Sequence, residues 1–230
     1  MTRSKLAILA LILAGTALFA GAQDILTADR FLQQVGERYA AMADYEGRLV
    51  ITTSRGTQEG TVLHKAPNLL RIDFSNPAGQ VISYDGATLL VYVPELRAIL
   101  SQTVRAPEEG GAAGSAGVAT AEGLRTLRRN YSAAYEKGPE PVELAGTPER
   151  VVRLVLNRKT VAEGFRTIVL SVSADTKLIR RIEGTTVANE TIVFDFTAIK
   201  TDQGIAPSRF IYDAPNSANT YSNFLFKPEE

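Results

Sequence analysis

The chain has no cysteine, no tryptophan and a single histidine, His64, and its charges cancel: 25 acidic and 25 basic side chains in 230 residues. Without cysteine there is no disulfide framework, no thiol nucleophile, no thiolate metal site and no acyl-bearing N-terminal cysteine of a lipoprotein. One histidine cannot furnish a histidine-rich metal centre, so no metal site is expected. A formal charge of zero offers no concentrated basic surface, and nucleic acid is not an expected partner. Enzyme chemistry is short of parts. Beyond His64 no nucleophile–histidine–acid set can be assembled, and the pair Glu108-Glu109 lies in a stretch where nothing would separate two carboxyl pKa values. No catalytic residue and no cofactor is expected. What remains is ordinary: 45% hydrophobic and 22% charged residues, a globular composition rather than a disordered or polytopic membrane one.

Residues 1–22 read as an export signal. Met1-Thr2-Arg3-Ser4-Lys5 is a short basic start, Leu6–Phe19 an uncharged, mostly apolar run, and Ala20-Gly21-Ala22 a small-x-small site. The expected mature chain begins at Gln23. The alternative is an uncleaved anchor, against which stands the length of about 20 apolar residues that a spanning helix needs. The expectation is therefore an exported, soluble monomer without a lipid of its own. It forms a single domain over 23–216, with a mobile loop at 105–120 and an unassigned tail at 217–230.

The period of the apolar residues places the elements. Thr27 can cap a helix with Asp29 in its first turn, and Phe31, Leu32, Val35, Tyr39 and Met42 then recur at spacings of three and four. After Gly47 the period becomes two. Leu49 and Ile51, then Leu70, Ile72 and Phe74, then Ile82 and Tyr84 each share a face, with turns at Gly56, at 76–79 and at Asp85-Gly86. A second helix is expected over 121–135, with Leu124, Leu127 and Tyr131 on one side and Arg125, Arg128 and Arg129 on a solvated side. Strands then resume through Val152, Leu154 and Leu156, Ile168, Leu170 and Val172, and Ile192, Phe194 and Phe196, ending in a short strand at 208–213. His64 reads as a lone surface residue of a strand. The sum is a mainly β, α+β fold: ten or eleven strands in a strongly curved antiparallel sheet, with two helices on one side.

Lys65-Ala66-Pro67-Asn68-Leu69-Leu70-Arg71, followed by Pro77, Gln80, Asp85-Gly86 and Tyr92-x-Pro94, resembles the signature region of the periplasmic outer-membrane lipoprotein carrier family, LolA. Phe194-x-Phe196, Gly204–Phe210 and Pro215 resemble that family's closing strands. The resemblance implies an incomplete, eleven-stranded barrel in the periplasm whose helices cover a cavity for the acyl chains of lipoproteins. It implies three partners: acylated lipoproteins as cargo, an ATP-driven release complex of the inner membrane, and an outer-membrane receptor. Departures are plain. Ala66 stands where the family carries the arginine that latches its lid, leaving Lys65 or Arg71 as conceivable substitutes, and Leu90 stands where it favours tryptophan.

On that reading Leu49, Ile51, Leu70, Ile72, Phe74, Ile82, Tyr84 and Tyr92 form the acyl-contacting surface. Phe31, Val35, Tyr39, Leu124 and Leu127 line the lid. Alternation alone leaves open whether this apolar face is hollow or filled, and the helix stripe is equally what helix-on-sheet packing requires. Two other classes compete with the carrier: a lipid- or lipoprotein-binding regulator or receptor of the same fold, and an exported hydrolase. Transport has a physical motive, since each methylene exposed to water costs about 0.8 kcal/mol.

Overall fold

The computed structural model describes residues 26–103, 119–161 and 164–223. Helix α1 (Ala28–Ala40) starts where the sequence indicates. Thr27 is extended, its hydroxyl accepts the Arg30 N–H, and Phe31, Leu32, Val35 and Tyr39 are buried. Helix α2 (Ala121–Asn130) is capped in the same way by Thr120, which accepts from Gly123. It stops at Asn130 rather than 135. Tyr131, Ala133 and Tyr135 alternate inward, and their backbone pairs with a neighbouring strand instead of continuing the helix.

Thirteen strands form one sheet among the described residues. They are β1 (Asp44–Thr53), β2 (Gly56–Lys65), β3 (Leu69–Asn76), β4 (Val81–Tyr84), β5 (Thr88–Val93), β6 (Ala98–Thr103), β7 (Tyr131–Tyr135), β8 (Val142–Glu143), β9 (Arg150–Arg158), β10 (Phe165–Ser173), β11 (Ile179–Thr186), β12 (Thr191–Thr201) and β13 (Asn219–Ser222). The order is β13-β6-β5-β4-β3-β2-β1-β12-β11-β10-β9-β7, with β8 beside β9. Its two ends do not pair, so the curved sheet remains an incomplete barrel. All ladders are antiparallel except the last, where β13 runs parallel to β6.

Two details depart from the sequence reading. The strand expected at 208–213 is a 3-10 turn, Pro207–Phe210, with extended chain after it, because a proline opens it and its backbone pairs with no ladder. The tail left unassigned supplies β13. Residues 104–118, with most of the loop expected at 105–120, lie outside the described residues, as do 1–25 and so the expected export signal; Thr120, the last residue of that expected loop, caps α2.

Cross-strand register sorts the side chains onto two faces. Leu49 lies opposite Phe196, Ile51 opposite Phe194, Ile72 opposite Ile82 and Leu154 opposite Leu170. Together with both helices these residues make the main core on the concave side. Curvature demands close approach at Gly60, where a Cβ would stand 2.5 Å from the Asp73 carbonyl oxygen. The convex side carries a smaller core of Leu63, Ile205 and Phe210 and another of Val81, Tyr92 and Ile99 under Tyr212, Ala214 and Ala218.

Candidate functional site

The concave face and the helices that fill its mouth are the candidate site. All five expected lid residues, Phe31, Val35, Tyr39, Leu124 and Leu127, are at most 5% exposed and join one cluster with Leu49, Leu70, Ile72 and Phe74. Ile51, Ile82 and Tyr84 are half-buried at its margin. Tyr92 belongs elsewhere. It pairs with Val81 on the convex side and packs against Tyr212, ring centroids 5.8 Å apart. A strand with apolar residues on both faces gives alternation no way to choose, and the sequence reading puts Tyr92 on the wrong one.

Beneath the helices the expected cavity is occupied by packed side chains: Phe31, Val35, Tyr39 and Leu124 bury themselves against Leu49, Ile72, Phe194 and Phe196. Clefts lie elsewhere. One, of about 210 Å³, sits among Thr53, Arg55, Glu190 and Ile192 at hairpin tips; another, of about 100 Å³, lies between Ser83, Leu90 and Phe210 on the convex side.

Three phenols pin the helices to the sheet. Tyr45 donates to the Ala119 carbonyl at 2.9 Å, Tyr135 donates to the Leu26 carbonyl at 2.8 Å, and Tyr39 accepts the Ile179 N–H at 3.1 Å. Burial raises the Tyr39 hydroxyl to about 12 and Tyr45 well above its ordinary value, so both stay neutral. Arg128 grips Asp29 through two nitrogens and ties α2 to α1; that guanidinium holds the Asp29 carboxyl below its usual range. Arg128 is thus engaged, not merely solvated.

Neither substitute for the family's latch acts on the helices. Lys65 lies 3.7 Å from the buried carboxylate of Asp44. Arg71 points to the convex side, pairs with Asp73, donates to the carbonyls of Arg209 and Ile211 at 2.9 and 3.2 Å, and lies 5.5 Å over the Tyr212 ring. It fastens the C-terminal segment.

His64 is 3% exposed, correcting its expected surface position. It faces inward because it pairs with Tyr45, on which its ring stacks at 5.3 Å. Neither ring nitrogen has a hydrogen-bond partner, and burial depresses its pKa to about 4 against the opposing pull of Asp44.

Sequence reasoning missed one group. Leu89, Val91 and Leu100 lie opposite Tyr84, Ile82 and Val91 and therefore share the concave face. They are half-buried and join none of the buried clusters. With Ile82 and Tyr84 they form an apolar shelf at the β4–β6 end. Only strand register could have placed them.

No protein-family model matches the sequence, and no curated protein does. Solved structures match by shape. An uncharacterized conserved protein of Thermus thermophilus aligns with a TM-score of 0.55 at 10% identity, covering 83% of this chain and 98% of that one. MucA/MucB of Pseudomonas aeruginosa gives 0.52 at 15% identity, covering 87% of this chain and 67% of that one. A LolA superfamily protein of Nitrosomonas europaea gives 0.40 at 13% identity, covering 81% and 98%. The first two likenesses are of fold alone at such identities, and what this incomplete barrel does rests on its own side chains.

Proposed function

We propose that this chain is an exported protein that binds the acyl chains of lipoproteins on its concave face and carries them through the periplasm from inner to outer membrane, performing no chemistry. The observation that carries the reading is the shelf of Ile82, Tyr84, Leu89, Val91 and Leu100: continuous apolar side chains, half-buried, of which Ile82 and Tyr84 border the core that the helices cover, the helices being held by a few polar contacts. Acyl chains laid on the shelf remove methylenes from water at about 0.8 kcal/mol each. Because the mouth is filled, accommodating several chains requires α1 and α2 to lift together, linked by Arg128–Asp29. The resemblance around Lys65–Arg71 and Gly204–Phe210 supplies the partners: acylated lipoproteins, an ATP-driven inner-membrane release complex and an outer-membrane receptor.

The filled mouth also favours a second reading, a lipid- or lipoprotein-binding regulator of the same fold. MucB, whose structure is solved with MucA, shares this fold.

The deciding experiment incubates the protein with inner-membrane vesicles bearing acylated lipoprotein, with and without ATP. The carrier reading expects an ATP-dependent, soluble one-to-one complex that Val91→Glu or Leu100→Glu abolishes while circular dichroism stays unchanged. Release that is absent, or indifferent to both substitutions, refutes it.

A further inference from the structure

Hairpin tips gather at one end of the barrel. Phe165 pairs with Thr186, which sets the β9–β10 tip beside the β11–β12 tip, and Arg166 links them by donating to Asn189 Oδ1 at 2.9 Å and to the Val187 carbonyl at 3.2 Å. The β1–β2 tip adjoins the latter across the cleft that Arg55 and Glu190 share. Val161 and Val187 protrude from two of these tips, 85% and 52% exposed. A third exposed apolar residue, Leu96, 72% exposed, follows β5 at the same end, where Pro94 lies 3.8 Å from the Cβ position of Gly79 in the β3–β4 turn.

Cations surround the apolar points. Arg55, Arg158, Lys159 and Arg166 stand on or beside the three neighbouring tips, against Glu190 there, Glu163 in the β9–β10 connection of the sequence, and exposed Glu95 beside Leu96. Lys159 donates to the carbonyls of Arg128 and Arg129, which brings the basic last turn of α2 to the same end.

We propose that this end docks on an anionic lipid bilayer, the valines entering the interface and the cations meeting headgroup phosphates. Apolar residues on separate protruding hairpins suit a fluid surface that closes around each point. A protein partner instead needs one continuous complementary patch of about 800 Å². Each cation close to an anionic leaflet strengthens binding about fivefold. The inference stands on the tips alone and does not depend on acyl binding.

The missing tryptophan makes the test direct. Val161→Trp, Val187→Trp and Val142→Trp each introduce a single tryptophan, excited apart from the tyrosines, the last at the opposite end of β9, where Val142 pairs with Val151. Each variant, purified in its exported form, is mixed with vesicles of phosphatidylglycerol and phosphatidylethanolamine, and with vesicles of phosphatidylcholine alone. The expected result is a blue shift at positions 161 and 187 with the anionic vesicles, none at 142, and about fivefold weaker binding when Arg55→Ser is added. Unshifted tips, an equal shift at 142, or equal binding to phosphatidylcholine overturns the proposal.

Discussion

The two halves of the sheet keep their cores on opposite faces. From β9 through β12 to β1 the concave residues Leu154, Leu156, Leu170, Ile182, Phe194 and Leu49 are at most 3% exposed beneath the helices. The convex side there carries ion pairs: Arg153 with Glu136 and Glu183, Arg181 with Asp195, Arg180 with Glu149. From β4 to β6 the arrangement reverses. Val81, Tyr92 and Ile99 are buried on the convex side under the C-terminal segment, while the concave shelf is half-buried. A sheet needs one covered apolar face to be stable. Where the C-terminal segment supplies it, the concave face is released from that duty and can hold a ligand.

The largest effect should separate the halves outright. Ile72 is fully buried against the helix cluster, so Ile72→Glu places an unpaired charge in a dry site and should unfold the protein. Val91→Glu, on the shelf, should leave it folded. Thermal unfolding by circular dichroism reads both; equal losses would erase the distinction. The gentler Ile72→Ala should still cost about 3 kcal/mol.

His64 sits on β2, where the halves meet, and sharpens the contrast through pH. Its folded pKa of about 4 lies below the ordinary 6.5 because it is buried. Above pH 6.5 neither state binds the proton. As pH falls toward 4, the unfolded chain takes up a proton that the fold refuses, so stability declines by about 3 kcal/mol across that window and this contribution then levels off. His64→Leu should remove that part of the decline. Urea titrations of both proteins at several pH values isolate the difference from the carboxylates, which lose their own contribution in acid. An unchanged slope would mean that His64 is solvated.

Much of this was legible in the chain. The helix stripe of Phe31, Val35 and Tyr39, and the alternation of Leu70, Ile72 and Phe74, are local periodicities, and both elements stand where the periods put them. Three features were not legible, each for a physical reason. Tyr92 sits in a strand apolar on both faces, where only pairing with Val81 decides its side. His64 looked exposed because β2 alternates polar with apolar weakly, its outward Leu63 being buried as well, under Ile205 and Phe210. The filling of the mouth depends on helix placement, which neither helix encodes alone. The shelf residues were visible as apolar, but their shared face is a property of register.

The smallest effect tests whether the C-terminal segment is what frees the shelf. Arg71 contributes two hydrogen bonds to carbonyls of that segment and covers the Tyr212 ring, from a partly buried position beside Asp73. Arg71→Ala removes those contacts and leaves the apolar packing of Phe210 and Tyr212 intact. A net loss of about 1 kcal/mol is expected, the usual worth of such contacts once water competes for them. Hydrogen exchange should localise it. The amides of Asn219 and Asn223, bonded to the carbonyls of Arg97 and Ser101, should exchange faster, while Ile179, pinned by Tyr39 in the other half, should not change. Faster exchange at Ile179 would mean that the halves share one core after all, and that the shelf is no freer than the rest of the concave face.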